Sequence, residues 1–243
     1  MGKKQGSKRL KRTASPKIWN IPRKGKRFVP KPSPGPHSEN FGIPLIMILR
    51  EILKLAKTSR EATSAIKTGA VLVDGRVKHD PNLPVGLMDV ISIPSIGKIY
   101  RIVPSTKTPL DILEIPESEK ALKICKIRSK TTASSSTFQF GLHDGRSILT
   151  GAEINLKVGD TSLIELPSQK MVKHVGLKVG SLVMITGGRN TGSFGKIKQI
   201  KPASISRSAM ASIDISGSNL EVPVRMIMAV GDEKPLITLS GAS

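Results

Sequence analysis

Acidic residues are scarce in this 243-residue chain: 18 Asp and Glu stand against 39 Lys and Arg, and none precedes Glu39. The resulting net charge of +21 works against compaction by self-repulsion unless something anionic neutralises it. Nucleic acid is the first candidate and a membrane surface the second. Aromatic residues make up 3% of the chain. That is too few for reading single strands base by base on stacking platforms, so contacts to phosphates and grooves of folded RNA are favoured instead. Cys125 is the single cysteine, which excludes an intrachain disulfide and a cysteine-based zinc site and suits a reducing, cytoplasmic location. Long apolar runs are missing too. The longest, Ile43 to Leu49, is closed by Arg50 and Glu51, far short of the roughly 20 residues of a membrane span. The basic N-terminus has no apolar core behind it, so it does not read as a secretory signal.

No catalytic constellation is apparent. His37, His79, His143 and His174 lie apart without ligand spacing, so no metal site, cofactor or enzymatic activity is expected. His143-Asp144 reads as a turn, and Cys125, within Ile124-Cys125-Lys126-Ile127, reads as a small core residue. The glycines near residue 190 fail two tests. Counting back from Gly195-Lys196, a P-loop needs glycine where Asn190 stands and Ser or Thr where Ile197 stands. A dinucleotide fingerprint opens a helix, whereas this stretch leads into a strand.

What is present is a basic leader. Residues 1–31 hold twelve Lys or Arg, leaving +9 on everything after them. Pro30, Pro32, Pro34 and Pro36 favour an extended backbone, and such a composition builds no core. Trp19 and Phe28 are out of place in a merely solvating tail. They suggest an arm that orders on RNA, although packing back on the body would also use them. The RNA-contacting residues expected here are Lys3, Lys4, Lys8, Arg9, Lys11, Arg12, Lys17, Trp19, Arg23, Lys24, Lys26, Arg27 and His37.

The next stretch reads as two helices and a hairpin. From Pro44, a good first-turn residue, Leu45, Leu49, Ile52, Leu53 and Ala56 follow helical spacing, with Arg50, Lys54 and Lys57 on another face. Thr58-Ser59-Arg60-Glu61 is a capping box. The helix it opens turns Ala62, Ala65 and Ile66 inward and Arg60, Ser64 and Lys67 outward, and Gly69 suits its C-terminal cap. Val71, Val73 and Val77 then alternate around Asp74-Gly75, a two-residue hairpin signal. Arg76 and Lys78 fall on the face opposite Val77. Val90–Ile93 is a further strand. Residues 94–170 are β-rich, with runs at Ile96–Val103, Leu122–Ile127, Phe138–Leu142 and Ser162–Leu166, and Thr131 to Thr137 reads as a polar loop. Val183 and Ile185 alternate before a glycine-rich turn, Gly187 to Gly192, and a return strand through Ile197 and Ile200. Gly188, Arg189, Asn190, Lys196 and Lys198 are the RNA-binding candidates there, because glycine lets backbone N–H groups approach phosphates.

Residues 45–93 resemble the αL RNA-binding motif of the S-four type, which ribosomal proteins, tyrosyl-tRNA synthetases and pseudouridine synthases share. Arg50, Arg60, Ser64, Lys67 and Arg76 occupy the matching positions of its RNA-binding face. Gly180 to Ile197 resembles the KOW motif of small β-barrels. The order of arm, αL motif, β-rich centre and KOW motif resembles the archaeal and eukaryotic small-subunit ribosomal proteins of the S-four-e family. Lys11-Arg12 to Trp19, Pro32 to His37, Met88 to Ile93 and Val183 to Gly192 carry that likeness. The end at Ser243, without the basic tail of eukaryotic members, points to an archaeal source.

The resemblance implies an α+β, mostly-β chain in several units. These are a basic arm over 1–40, disordered when free, an αL module over 41–93, a β-rich centre over 94–170, a KOW-type barrel over 171–215 and C-terminal strands with a tail over 216–243. It implies a structural subunit bound to small-subunit rRNA beside neighbouring ribosomal proteins, with no membrane partner and no homo-oligomer. An αL-carrying RNA-modifying enzyme, a KOW-containing transcription factor and a non-specific cationic protein are the alternatives.

Overall fold

A computed structural model describes residues 7, 9–134, 137–151, 156–205, 207–215 and 217–239. It is mostly β, with short helices. Three five-stranded antiparallel sheets succeed one another along the chain. In spatial order the first holds Arg76–Val77, Leu72–Val73, Val90–Ile93, Lys98–Val103 and Asp111–Glu114. The second holds Ser147–Gly151, Thr137–Leu142, Leu122–Ser134, Thr161–Glu165 and Met171–Val175. The third holds Ser218–Pro223, Met210–Ile215, Phe194–Lys201, Leu182–Ile185 and Ile227–Gly231. No described helix is long and apolar enough to cross a membrane.

The sheets cut across the expected boundaries. Lys98–Val103 pairs with Val90–Ile93, so the first sheet crosses the division at residue 93. Ile227–Gly231 and Ser218–Pro223 flank the third sheet instead of forming a separate tail. The cause is shared burial. Met88 and Val103 from the first unit, Ile124 and Leu163 from the second, and Met184, Met228 and Val230 from the third form one apolar cluster. Arg101, fully buried, adds a polar tie: its guanidinium donates to Glu119 Oε2 at 2.6 Å and to the Leu122 carbonyl at 2.9 Å.

The first helical stretch is shorter than its apolar spacing suggests. Helix α1 (Leu45–Met47) runs into a π-helical turn, Ile48–Ile52, and Lys54 takes a left-handed φ of 54°. The helix therefore ends before Lys54, and Arg50, Lys54 and Lys57 do not share a helical face. Helix α2 (Ser59–Lys67) forms as its capping box requires. Thr58 Oγ1 accepts from the Glu61 N–H at 3.1 Å, and Glu61 Oε2 accepts from the Thr58 N–H at 3.4 Å and from the Lys57 N–H at 2.9 Å. Gly69 closes it at φ 83°. The expected polar loop at Thr131 is instead hairpin up to Ser134, with Thr131 opposite Gln139 and Thr132 opposite Phe138; β-branched threonine suits a pleated strand. Residues 135–136 lie outside the described part.

Candidate nucleic-acid interface

Helix α2 and the Asp74-Gly75 hairpin carry the basic residues expected of them. Asp74 and Gly75 both have positive φ, 53° and 73°, the geometry of a two-residue type I′ turn. His79 donates from Nδ1 to the Lys67 carbonyl at 3.0 Å, which ties the last turn of α2 to the strand leaving the hairpin. The end of α2, with Lys67, and the segment that follows Arg76 and Lys78 are thereby adjacent. Arg60, Ser64, Lys67 and Arg76 are exposed and Lys78 is half-buried. Among the described residues, none of these cationic heads has a carboxylate partner. Lys54 and Lys57 are likewise exposed. Arg50 is not free: it donates to Glu51 Oε1 at 2.8 Å.

The basic extension divides in two. Arg12 is buried. Its guanidinium meets the carbonyls of Pro22 at 2.9 Å and Lys26 at 3.2 Å, and Glu51 Oε1 at 3.2 Å. Glu51 is pushed up by burial but held below its ordinary value overall by Arg50 and Arg12. Arg23 donates to Ser15 Oγ at 2.6 Å and to the Ser15 carbonyl at 2.7 Å. Trp19, expected to meet RNA, is 1% exposed and donates its indole N–H to the Gly42 carbonyl at 2.9 Å. Trp19, Ile21 and Val29 belong to the apolar cluster under α2 and the first sheet. His37, also expected at the RNA, is buried against Asp89 at 3.0 Å. A large apolar ring gains more by leaving water than a sparse leader gains by staying extended. Arg9, Lys11, Lys17, Lys24, Lys26 and Arg27 remain exposed, with Arg9 and Arg27 over the Phe28 ring at 5.7 and 5.4 Å. Lys3, Lys4 and Lys8 lie outside the described residues.

The glycine-rich turn lies between Leu182–Ile185 and Phe194–Lys201, with Val183, Ile185 and Ile197 buried. Gly188 has φ 92° and Gly192 φ 85°. A side chain at Gly192 would collide with the Ser105 backbone, so glycine lets this loop dock on the first unit. The N–H groups of Gly187, Gly188 and Arg189 donate to nothing among the described residues. Gly188 and Arg189 are exposed and Asn190 half-buried. Lys196 is exposed, and Lys198 pairs with Asp214 at 2.9 Å.

Sequence reasoning missed a buried ionic cluster that fixes these units together. The ammonium of Lys123, 0% exposed, lies 2.6 Å from Asp89 Oδ1, 2.8 Å from Asp74 Oδ2 and 2.8 Å from Asp144 Oδ2. Arg146 also reaches Asp74 and Asp144. The three carboxylates are close enough to hold a metal ion, but they converge on the Lys123 ammonium. Burial raises the Asp89 carboxyl pKa, yet Lys123 and His37 outweigh it and hold that pKa well below its ordinary value. For Asp74, burial and repulsion from Asp89 prevail, and its pKa is raised. Burial lowers Lys123, but the surrounding acids raise it well above the usual lysine value. Asp89 inside the apolar run Met88–Ile93 was the available signal.

His143 packs beside this cluster. Its Nε2 donates to the Leu87 carbonyl at 3.1 Å and its Nδ1 accepts from the Lys126 N–H at 3.3 Å, which fixes a neutral ring. Burial and the Lys123 charge bring its pKa down to about 4. Lys126 donates to the carbonyls of Ile227 at 2.6 Å and Val224 at 2.8 Å, clamping the third sheet to the second.

Three family descriptions match in the order of these units: the RS4NT (NUC023) domain at residues 4–40, the S4 domain at 44–91 and Ribosomal family S4e at 96–171. The small ribosomal subunit protein eS4 of Methanocaldococcus jannaschii is 40% identical over 246 residues, covering 98% of this chain and 100% of that protein. The chain belongs to the S4e family of ribosomal proteins. The family member of Korarchaeum cryptofilum is 41% identical over 239 residues, again covering 98% of this chain and 100% of the relative. Among solved family structures, the crystal structure of the 30S ribosomal protein S4e from Thermoplasma acidophilum superposes with a TM-score of 0.69. It is 28% identical and covers 79% of this chain and 95% of that one. The S4 match spans α1, α2 and the Asp74-Gly75 hairpin, so the exposed cations of Arg60, Lys67 and Arg76 lie within the S4 domain of this family member.

Proposed function

We propose that this protein is a structural constituent of the small ribosomal subunit that binds small-subunit rRNA and thereby supports translation. The carrying observation is the set of exposed cations without carboxylate partners on α2, the hairpin and the extension, in a chain of net charge +21. Arg60, Lys67, Arg76 and Lys78 engage phosphates and grooves of folded RNA. Arg9, Lys11, Lys17, Lys24, Lys26 and Arg27, with Lys3, Lys4 and Lys8, add the larger electrostatic share. The third sheet works as a KOW-type barrel whose turn, Gly188 to Asn190 with Lys196, approaches a phosphate through its backbone. The protein works in the cytoplasm as one copy per subunit, next to other small-subunit proteins.

Binding of the full chain to small-subunit rRNA, in competition with bulk RNA and across a salt series, tests this. Each neutralised phosphate contributes about −0.7 to −0.9 to the slope of log affinity against log salt, so about ten contacts give a slope near −7 to −9. A flat salt response, or equal affinity for bulk RNA, overturns the reading. So does co-purification with RNA polymerase in place of small subunits.

A further inference from the structure

A cleft of about 760 Å³ opens where the N-terminal extension, the Leu110 loop, the second sheet and the glycine-rich turn meet. Its volume lies within the range of about 300–1,000 Å³ typical of small-molecule sites. The surfaces lining it have two characters. Leu87, Leu110 and Met228 are apolar, and Phe41, 66% exposed, stands among the lining residues from the extension. Arg128 and Arg225, both exposed and without a partner among the described residues, line it as well, together with Gly187 and Gly188 and their unengaged N–H groups. Among the described residues, no carboxylate lines the cleft. Lys126 and His143 also border it, but both are fully engaged with backbone groups.

We propose that this cleft receives one unstacked nucleotide of the bound RNA, its base against Phe41 and the apolar wall, its phosphate between Arg128, Arg225 and the Gly187-Gly188 turn. The inference rests on the rRNA-binding function above and names a subsite within it. Three features favour RNA over a peptide. An exposed aromatic ring stacks on any base, an acid-free rim with two free guanidinium groups matches a phosphodiester, and glycine N–H groups suit an anion. Phe41 is the one phenylalanine lining the cleft, which makes this a single stacking event, compatible with a chain so poor in aromatics.

The test uses the full-length protein, its own small-subunit rRNA and ultraviolet cross-linking with mass spectrometry, alongside filter binding. A nucleotide adduct on a peptide lining the cleft is expected. Phe41→Ala is expected to weaken rRNA binding roughly 10-fold with the melting temperature unchanged, while Phe41→Tyr retains affinity. Arg128→Gln with Arg225→Gln is expected to flatten the salt slope by about 0.7 to 0.9, the share of one phosphate. Wild-type rRNA binding with adducts elsewhere and Phe41→Ala indistinguishable from wild type overturns the cleft but leaves the proposed function standing. No specific rRNA binding by the wild type overturns both. Cross-links from the cleft to a neighbouring protein in intact small subunits, in place of RNA, assign it to a peptide and overturn the proposal.

Discussion

Lys123 and Asp89, 34 residues apart, meet at 2.6 Å between Nζ and Oδ1 with neither side chain more than 2% exposed. One comes from the second sheet and the other from the segment leading into the first. The pair, with Asp74 and Asp144, ties the S4 domain to the β-rich centre. A buried charge cluster does little for net stability against an apolar alternative, but it becomes costly once one member is removed.

Lys123→Met therefore leaves three carboxylates around an apolar side chain. The expected loss is about 3–5 kcal/mol of unfolding free energy, measured by denaturant titration. Asp74→Asn is expected to cost less than Asp89→Asn, because burial and Asp89 already disfavour the Asp74 charge while Lys123 and His37 favour that of Asp89. The reverse order would mean that the charge is distributed differently within the cluster.

Acid sensitivity is expected from His143. Its folded pKa, about 4, lies below the ordinary value of 6.5, so between these limits the unfolded chain binds more protons. Stability accordingly rises with pH across that window and falls as pH drops from 6.5 to 4, by on the order of 2 kcal/mol. His143→Gln should flatten this part of the stability–pH curve. Nitrogen NMR should find the ring neutral and protonated at Nε2 at pH 6.

Arg60→Glu with Lys67→Glu is expected to weaken rRNA binding by 10-fold or more through lost and reversed phosphate contacts. Both side chains are exposed on α2, so the melting temperature should move by no more than a surface change allows, about 0.5 kcal/mol equivalent. A large drop in melting temperature would mean that this face packs on something.

Truncation of residues 1–31 separates charge from packing. It removes twelve cations and should cut RNA affinity. It also removes Trp19, Ile21 and Val29 from the apolar cluster, so stability should fall as well. Trp19→Ala alone is expected to cost about 3–5 kcal/mol with the charge untouched. A truncated protein as stable as the full chain and with unchanged RNA affinity would show the extension to be a passive tail.

Local signals were legible wherever neighbouring residues decide the outcome. The Thr58–Glu61 capping box, the Asp74-Gly75 turn and the Val183–Ile185 alternation all formed as their chemistry requires, because their partners lie within a few residues. The basic face of α2 followed from the same spacing that buries Ala62 and Ile66. The first helix went differently. Its apolar spacing continues to Ala56, but a π-helical turn and the left-handed Lys54 end it early, so the face expected of Arg50, Lys54 and Lys57 is not built.

The sequence by itself determined the charge, its concentration in the leader, the β-rich character and the order of the units, since composition and short-range pattern are properties of the chain alone. Tertiary structure decided which charges are free. Arg12 and Lys123 look like any other basic residue in the sequence, yet packing surrounds them with carbonyls and carboxylates, among them Glu51, Asp74 and Asp89 from distant segments. A cation desolvated by folding must take protein partners and cannot serve a phosphate. Trp19 met the same constraint from the apolar side, where burial against the first sheet outweighs exposure on the arm.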